Sequence, residues 1–262
     1  MVDVRRNGVK MKYANEYLDN LEGIFAKIRE HKEEYRKTAA LILARIKQGG
    51  MIFPFGTGHG HLLALEMFYR AGGMVRVNPI LKEELMLHKS AIGSSLFERA
   101  EGNAEPLLEE YKVGAKDVVI VFSNSGINPL TIEMALGAKQ RGALTIGLTN
   151  LNHSRPLESR HQSGLKLYEI CDIVLDNFGV LGDACVEIAS GIKIAPTSTI
   201  AGSAILHSIT SMIVELAEAE GYEVELFTSG NVPKGHERSL AMIEKYKDII
   251  KSLGAWKAAG KE

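Results

Sequence analysis

The segment Asp117-Val-Val-Ile-Val-Phe-Ser-Asn-Ser-Gly-Ile-Asn-Pro129 constrains this chain more than any other. Val118 to Phe122 is a continuous apolar, mostly β-branched run, the pattern of a parallel strand buried on both faces. It stops at Ser123-Asn124-Ser125-Gly126, and Asn128-Pro129 suits the N-cap and first position of a helix running from Leu130 to Gln140. Two hydroxyls, a glycine and several free backbone N–H groups therefore gather at the C-terminal end of a strand and the positive end of a helix dipole. That is where an open α/β sheet binds anions, phosphate above all.

The flanking pattern repeats this logic. Met51 to Phe55 reads as a short strand, Gly56-Thr-Gly-His-Gly-His61 as a turn, and Leu62 to Arg70 as a helix closed by Gly72-Gly73. Met74 to Val77 and Ile173 to Leu175 read as further strands, and Ala143 to Thr149 completes a βαβ unit. Residues 81 to 110 break into short helical pieces at Gly93 and Gly102, and Asp176 to Pro196 reads as a lid or hairpin. Before the first strand, Tyr17, Leu21, Ile24, Phe25 and Ile28 form one helical stripe, and Ala39, Ala40, Leu43 and Ile46 another. Thr197 to Glu220 reads as a long helix and Leu240 to Leu253 as a terminal one. Four or five parallel strands with helices between them give an α/β, doubly wound parallel sheet with a helical N-terminal arm. The expected division is an arm at 1–48, a core at 49–220, and a C-terminal segment and helix packed on the core at 221–262.

Composition narrows the function classes. The chain has 262 residues, a formal net charge of −1, 45% hydrophobic and 24% charged residues, enough for a full core and without the basic footprint of a nucleic-acid or anionic-membrane partner. No run of eighteen apolar residues is present, and the opening Met1-Val-Asp-Val-Arg-Arg-Asn lacks a signal-peptide core. Cys171 and Cys185 are the only cysteines, read as reduced, buried small apolar residues of a cytoplasmic protein.

Gly56-x-Gly58, Ser123-x-Ser125-Gly126 and Pro196-Thr-Ser-Thr199 at the head of a long helix together resemble the sugar isomerase (SIS) family of phosphosugar-binding domains. Leu96-Phe-Glu-Arg-Ala-Glu-Gly102, Asp176-Asn-Phe-Gly-Val-Leu-Gly-Asp-Ala184 and Phe227-Thr-Ser-Gly-Asn231 resemble a stand-alone subgroup of it. The resemblance implies a three-layer α/β/α fold, a phosphosugar ligand, and a homodimer or homotetramer with sites near subunit contacts; isomerisation of a sugar phosphate needs no redox cofactor.

The candidate ligand-binding residues are Gly56, Thr57, Gly58, His59, Ser123, Asn124, Ser125, Asn128, Thr197, Ser198 and Thr199. Short hydroxyl donors and glycines suit phosphate, which needs several donors and close backbone approach; the same serines and threonines also serve as helix caps. His59 and His61 flank Gly60, and with no third ligand evident no metal is assigned. The candidate acid–base groups are Glu66, Glu101 and His207. Phosphoheptose isomerases of this family carry a His-x3-Glu pair that falls on Glu66 and Arg70 here, with Thr199 and His207 at the positions of a Gln and a second His; only His207 is unchanged. Glu98, Glu101 and Glu105 form a second carboxylate cluster, read as a solvated helix face or as a catalytic group, since Glu101-Gly102 resembles the Glu-Gly element of N-acetylmuramic acid 6-phosphate etherases. The leading expectation is aldose–ketose isomerisation of a sugar phosphate. An amino-sugar-phosphate lyase or etherase, and a non-catalytic phosphosugar sensor, stand as alternatives.

Overall fold

The computed structural model describes residues 11–254. The opening heptapeptide and the outer ends of the expected arm and C-terminal segment lie outside these residues. In chain order the elements are α1 (Lys12–Glu30), α2 (Lys32–Lys47), β1 (Ile52–Gly56), α3 (Gly60–Met67), α4 (Ala91–Arg99), α5 (Ala104–Glu110), β2 (Val118–Phe122), α6 (Pro129–Gln140), β3 (Leu144–Thr149), α7 (Leu151–Ser154), α8 (Leu167–Ile170), β4 (Ile173–Asp176), β5 (Ala184–Glu187), β6 (Lys193–Pro196), α9 (Ser198–Ala219) and α10 (Gly235–Tyr246).

Strands β1, β2, β3 and β4 form one parallel sheet in that order. Alternate residues of each strand enter different cores. Ile52, Val118, Ile120, Phe122, Ile146 and Leu148 pack with α1, α2, α3 and α9 on one face. Phe53, Phe55, Val119 and Val121 pack with α5, α6, α8 and α10 on the other. Both faces are covered, so β2 needs no polar residue, and all five of its side chains are buried. Burying a side chain such as Phe122 or Ile120 contributes about 1.5–3 kcal/mol each. The layers are those of a three-layer α/β/α sandwich.

Helices α1 and α2 do not stand off from this sandwich: Ile24, Ile28, Tyr35, Ile42, Leu43 and Ile46 belong to the same core as α9. Helix α9 is long and apolar enough to span a membrane by length and composition alone. Its buried stripe, Ala201, Ile205, Ile209, Ile213 and Ala217, faces that core instead.

Two expectations shift in detail, and the hairpin alternative for residues 176–196 holds. Met74–Val77 does not form a full strand: it reaches β1 through a single parallel bridge, Ile52 to Val77, with Ile52 N–H bonded to Arg76 O at 2.9 Å. Its other side bonds to the segment around Leu226 rather than to a strand. Residues 176–196 hold an antiparallel hairpin, β5 with β6, separate from the main sheet. The last helix starts earlier than its apolar pattern suggested, at Gly235, and ends at Tyr246, with a short 3₁₀ turn at Lys251–Leu253.

Candidate functional site

The C-terminal ends of β1, β2 and β3 open into a cavity of about 530 Å³. Its floor is the loop after β2. Ser123 Oγ accepts the Gly126 N–H at 3.0 Å, closing the turn on itself, and Gly126 has φ +63°, a left-handed conformation that favours glycine. The Asn124 side chain is held by Asn177 at 2.8 Å. Ser125 lines the cavity, and its hydroxyl makes no hydrogen bond among the described residues. Asn128 sits at the N-cap position of α6 with Pro129 behind it, yet its side chain does not cap. It donates to Glu98 Oε1 at 2.8 Å and accepts from Arg160 at 2.7 Å.

The loop after β1 forms the adjacent wall, with Thr57, Gly58 and His59 exposed to the cavity. Thr57 Oγ1 donates to Glu98 Oε2 at 2.5 Å. Glu98, from α4, thus reaches into the cavity with one donor on each oxygen, which leaves further acceptor sites on each. Gly56 is not part of the wall. A Cβ there would stand 2.4 Å from the Gly60 carbonyl carbon, so this glycine lets α3 fold back tightly on β1.

The third wall is the β5–β6 hairpin and the start of α9. Asp183 Oδ1 accepts the Thr197 and Ser198 N–H groups at 3.1 and 2.9 Å, and Oδ2 accepts the Ser198 hydroxyl at 2.6 Å. The α9 terminus is therefore already capped by a carboxylate of the protein. Ser198 and Thr199 line the cavity, whereas Thr197 is buried, its hydroxyl without a partner among the described residues. His153, from α7, shares this wall; its Nδ1 accepts the Gly182 N–H at 3.2 Å. Burial holds the His153 pKa below its ordinary value, with Asp183 pulling weakly the other way. Among the described residues, Lys193 supplies the one lysine or arginine of the wall.

The expected acid–base groups lie elsewhere. Glu66 and His207 form a pair, Nε2 to Oε1 at 2.9 Å, in a second groove of about 610 Å³ that adjoins the cavity through Leu63 and Thr199. Burial tends to raise the Glu66 pKa, but the His207 hydrogen bond and the Arg70 guanidinium outweigh it and hold the carboxyl below its ordinary range. Glu101 is exposed outside both hollows and accepts the Gln162 N–H at 3.1 Å. It stands with Glu133 and His161, their ligand atoms within 4.8 Å of one another. His59 and His61 diverge: His59 faces the cavity, and His61 is buried outside its wall with Nδ1 unpartnered among the described residues. The two cysteines are unpaired and half-buried rather than fully buried, and burial pushes the Cys171 thiol up to about 12.

The SIS domain family matches residues 16–150, just over half of the chain. The chain belongs to the SIS domain family. It is 42% identical over 238 residues to a UPF0309 protein of Geobacillus kaustophilus, covering 87% of this chain and 95% of that one. A UPF0309 protein of Shouchella clausii is 41% identical over 243 residues, covering 92% and 99%. Among solved structures, a phosphoheptose isomerase from Francisella tularensis superposes with a TM-score of 0.51 at 13% identity, over 79% of this chain and 98% of that one. That likeness is one of fold.

Within this SIS chain, sequence reasoning passed over Asp183, His153 and Lys193 and set Glu98 below Glu101. His153 had a usable signal: it follows β3 by four residues, and the ends of parallel strands are where such sheets bind ligands. Glu98 had a weaker one: it lies on α4, which ends at Arg99, while Glu101 lies beyond that end, and a sequence pattern does not show which of the two turns inward. Nothing local marks Asp183 or Lys193, which reach the site through the hairpin.

Proposed function

We propose that this SIS protein binds a sugar phosphate in the cavity at the strand ends and interconverts its aldose and ketose forms, as a cytoplasmic homo-oligomer. The observation that carries the reading is the sharing of one hollow by two kinds of group: the Ser123–Gly126 loop with the free Ser125 hydroxyl, and the ionisable groups Glu98 and His153. The loop, at the positive end of α6, suits the phosphate. Isomerisation needs proton transfer beside a carbonyl, which a carboxylate and an imidazole supply. Lys193 offsets the negative charge of Glu98 and Asp183 in the wall, which would otherwise oppose an anionic ligand. The Glu66–His207 pair opens into the adjoining groove instead.

The test is a thermal-shift screen of aldose and ketose phosphates and amino-sugar phosphates, followed by NMR of each stabilising compound incubated with the protein. Interconversion of an aldose–ketose pair supports the reading. Elimination from an amino-sugar phosphate replaces it with a lyase, and binding without conversion replaces it with a sensor.

A further inference from the structure

We propose that Glu98 is the base and His153 the electrophilic hydrogen donor of the cavity, so that one chain holds a complete proton-transfer pair apart from Glu66 and His207. This rests on the reading of the cavity as a sugar-phosphate isomerase site and names the groups that act there.

Glu98 is the acid side chain in the wall that is not spent on a helix. Asp183, the other one, has both oxygens committed to the α9 terminus. Thr57 and Asn128 hold the Glu98 carboxylate by one oxygen each, at 2.5 and 2.8 Å. Those donors fix its direction and still leave lone pairs for a substrate proton. They also tie it to both ligand loops: Thr57 belongs to the loop after β1, and Asn128 heads α6 beside the phosphate loop. A base anchored on both loops keeps its position relative to a phosphate held there.

The His153 tautomer follows from its neighbour. A backbone N–H can only donate, so Nδ1, which receives Gly182, carries no proton. The ring proton of the neutral form is then on Nε2, and no protein group accepts it among the described residues. Burial favours that neutral form. Carbon-acid isomerisation uses this combination of a carboxylate base and a neutral imidazole. Glu98 takes the proton from the carbon bearing the hydroxyl next to the aldehyde. The C–H electron pair becomes the enediol double bond, and the carbonyl π pair moves to oxygen, which takes the Nε2 proton of His153. His153 recovers a proton from the neighbouring hydroxyl as the second carbonyl forms, and Glu98 returns its proton to the first carbon. Substrate and product are isomers, and both side chains end as they began.

The Glu66–His207 pair is differently placed. Glu66 Oε1 is shared by His207, Arg70 and Ser203, and the pair lies in a groove whose remaining wall is apolar apart from Ser203 and Thr199.

The experiment uses the sugar phosphate that the wild-type protein converts. Glu98→Gln should lower kcat by about 10²–10⁴-fold, keep the Kd for that sugar phosphate within about threefold of wild type, and abolish incorporation of solvent deuterium at the carbon next to the carbonyl. His153→Gln should lower kcat with the Kd likewise retained. As a measurement independent of any variant's folding, an epoxide analogue of the same sugar phosphate should esterify wild-type protein at Glu98, located by peptide mass spectrometry. Full turnover in Glu98→Gln, or an ester mapped to Glu66, overturns the assignment while leaving the isomerase reading intact. Wild-type protein that converts no sugar phosphate overturns both.

Discussion

Ser198 gives both its backbone N–H and its hydroxyl to Asp183, at 2.9 and 2.6 Å, so the positive end of α9 is closed by a carboxylate that arrives from the turn before β5. The cap links two parts of the cavity wall, the hairpin and the helix. It also assigns the negative charge at this helix terminus to the protein, so the phosphate site proposed above is the loop after β2 and the start of α6 rather than the start of α9.

Asp183 should therefore matter for stability in a graded way. It has φ +69°, a conformation that Asp and Asn tolerate better than other side chains. Asp183→Asn keeps an acceptor for the two N–H groups and should cost less than about 1 kcal/mol, whereas Asp183→Ala loses the cap and adds backbone strain, at about 1–3 kcal/mol. For a chain of this length that is a fall in Tm of about 2–12 °C. Differential scanning calorimetry on the two variants checks it; equal losses would show that the charge, not the cap geometry, sets the effect.

Ser125→Ala should weaken binding of the best sugar phosphate. The hydroxyl is uncommitted among the described residues, unlike that of Ser123, which closes the loop. Removing a donor to a charged acceptor costs about 1.5–3 kcal/mol, or about 10–100-fold in Kd. Titration calorimetry measures this directly, and unchanged affinity would leave Ser125 with no ligand role.

Glu225 makes stability depend on pH. Its side chain is 19% exposed, and burial tends to raise its pKa. Hydrogen bonds from Lys245 and Tyr246 and the charge of Arg76 overcome that and hold it below the ordinary carboxylate value. A carboxylate with a lowered folded-state pKa stabilises the protein above its unfolded value, near 4.3, and that contribution fades as pH falls through the folded value. Lys245 and Tyr246 sit at the end of α10, so the ion pair pins that helix to the segment beside Met74–Val77. Glu225→Gln should lower Tm by several degrees at pH 7 and have little effect near pH 3. A Tm loss of the same size at both pH values would exclude the charge as its source.

The parts of the fold and site that were legible in the sequence share a physical cause. Val118–Phe122 and Ala143–Thr149 are buried on both faces, so their composition alone marks them as strands, and the turn chemistry of Ser123–Gly126 places the loop between them. Met74–Val77 looks like a strand because Met74, Val75 and Val77 are apolar and buried, but it meets β1 and the segment around Leu226 through one bridge each, too little pairing to make a strand. Glu98, His153 and Asp183 were harder to weigh because each gains its role from a contact distant in sequence: with Thr57 and Asn128, with Gly182, and with Thr197 and Ser198 respectively. In the sequence Glu66 and His207 are only separate acid–base candidates, alongside Glu101; the structure brings them together across 141 positions, yet periodicity gives no means of telling a groove on one side of α9 from the cavity at its start.

That groove leads to a prediction about assembly. Phe25, Leu62, Leu65 and Ile200 line it, and each is between 41% and 47% exposed. They come from α1, α3 and α9, so the patch is a continuous surface rather than a scatter of single side chains, and a patch of this kind on a lone chain is costly in water. Covering four such side chains contributes several kcal/mol at about 25 cal/mol per Å² of apolar area. Sedimentation velocity at micromolar concentration should show a species of at least twice the 28.7 kDa chain mass. Leu65→Glu, which puts a charge in the middle of the groove away from the sugar-phosphate cavity, should shift that species toward the monomer. A wild-type chain that sediments as a monomer, or a Leu65→Glu variant that assembles as well as wild type, would rule out this face as the contact between copies.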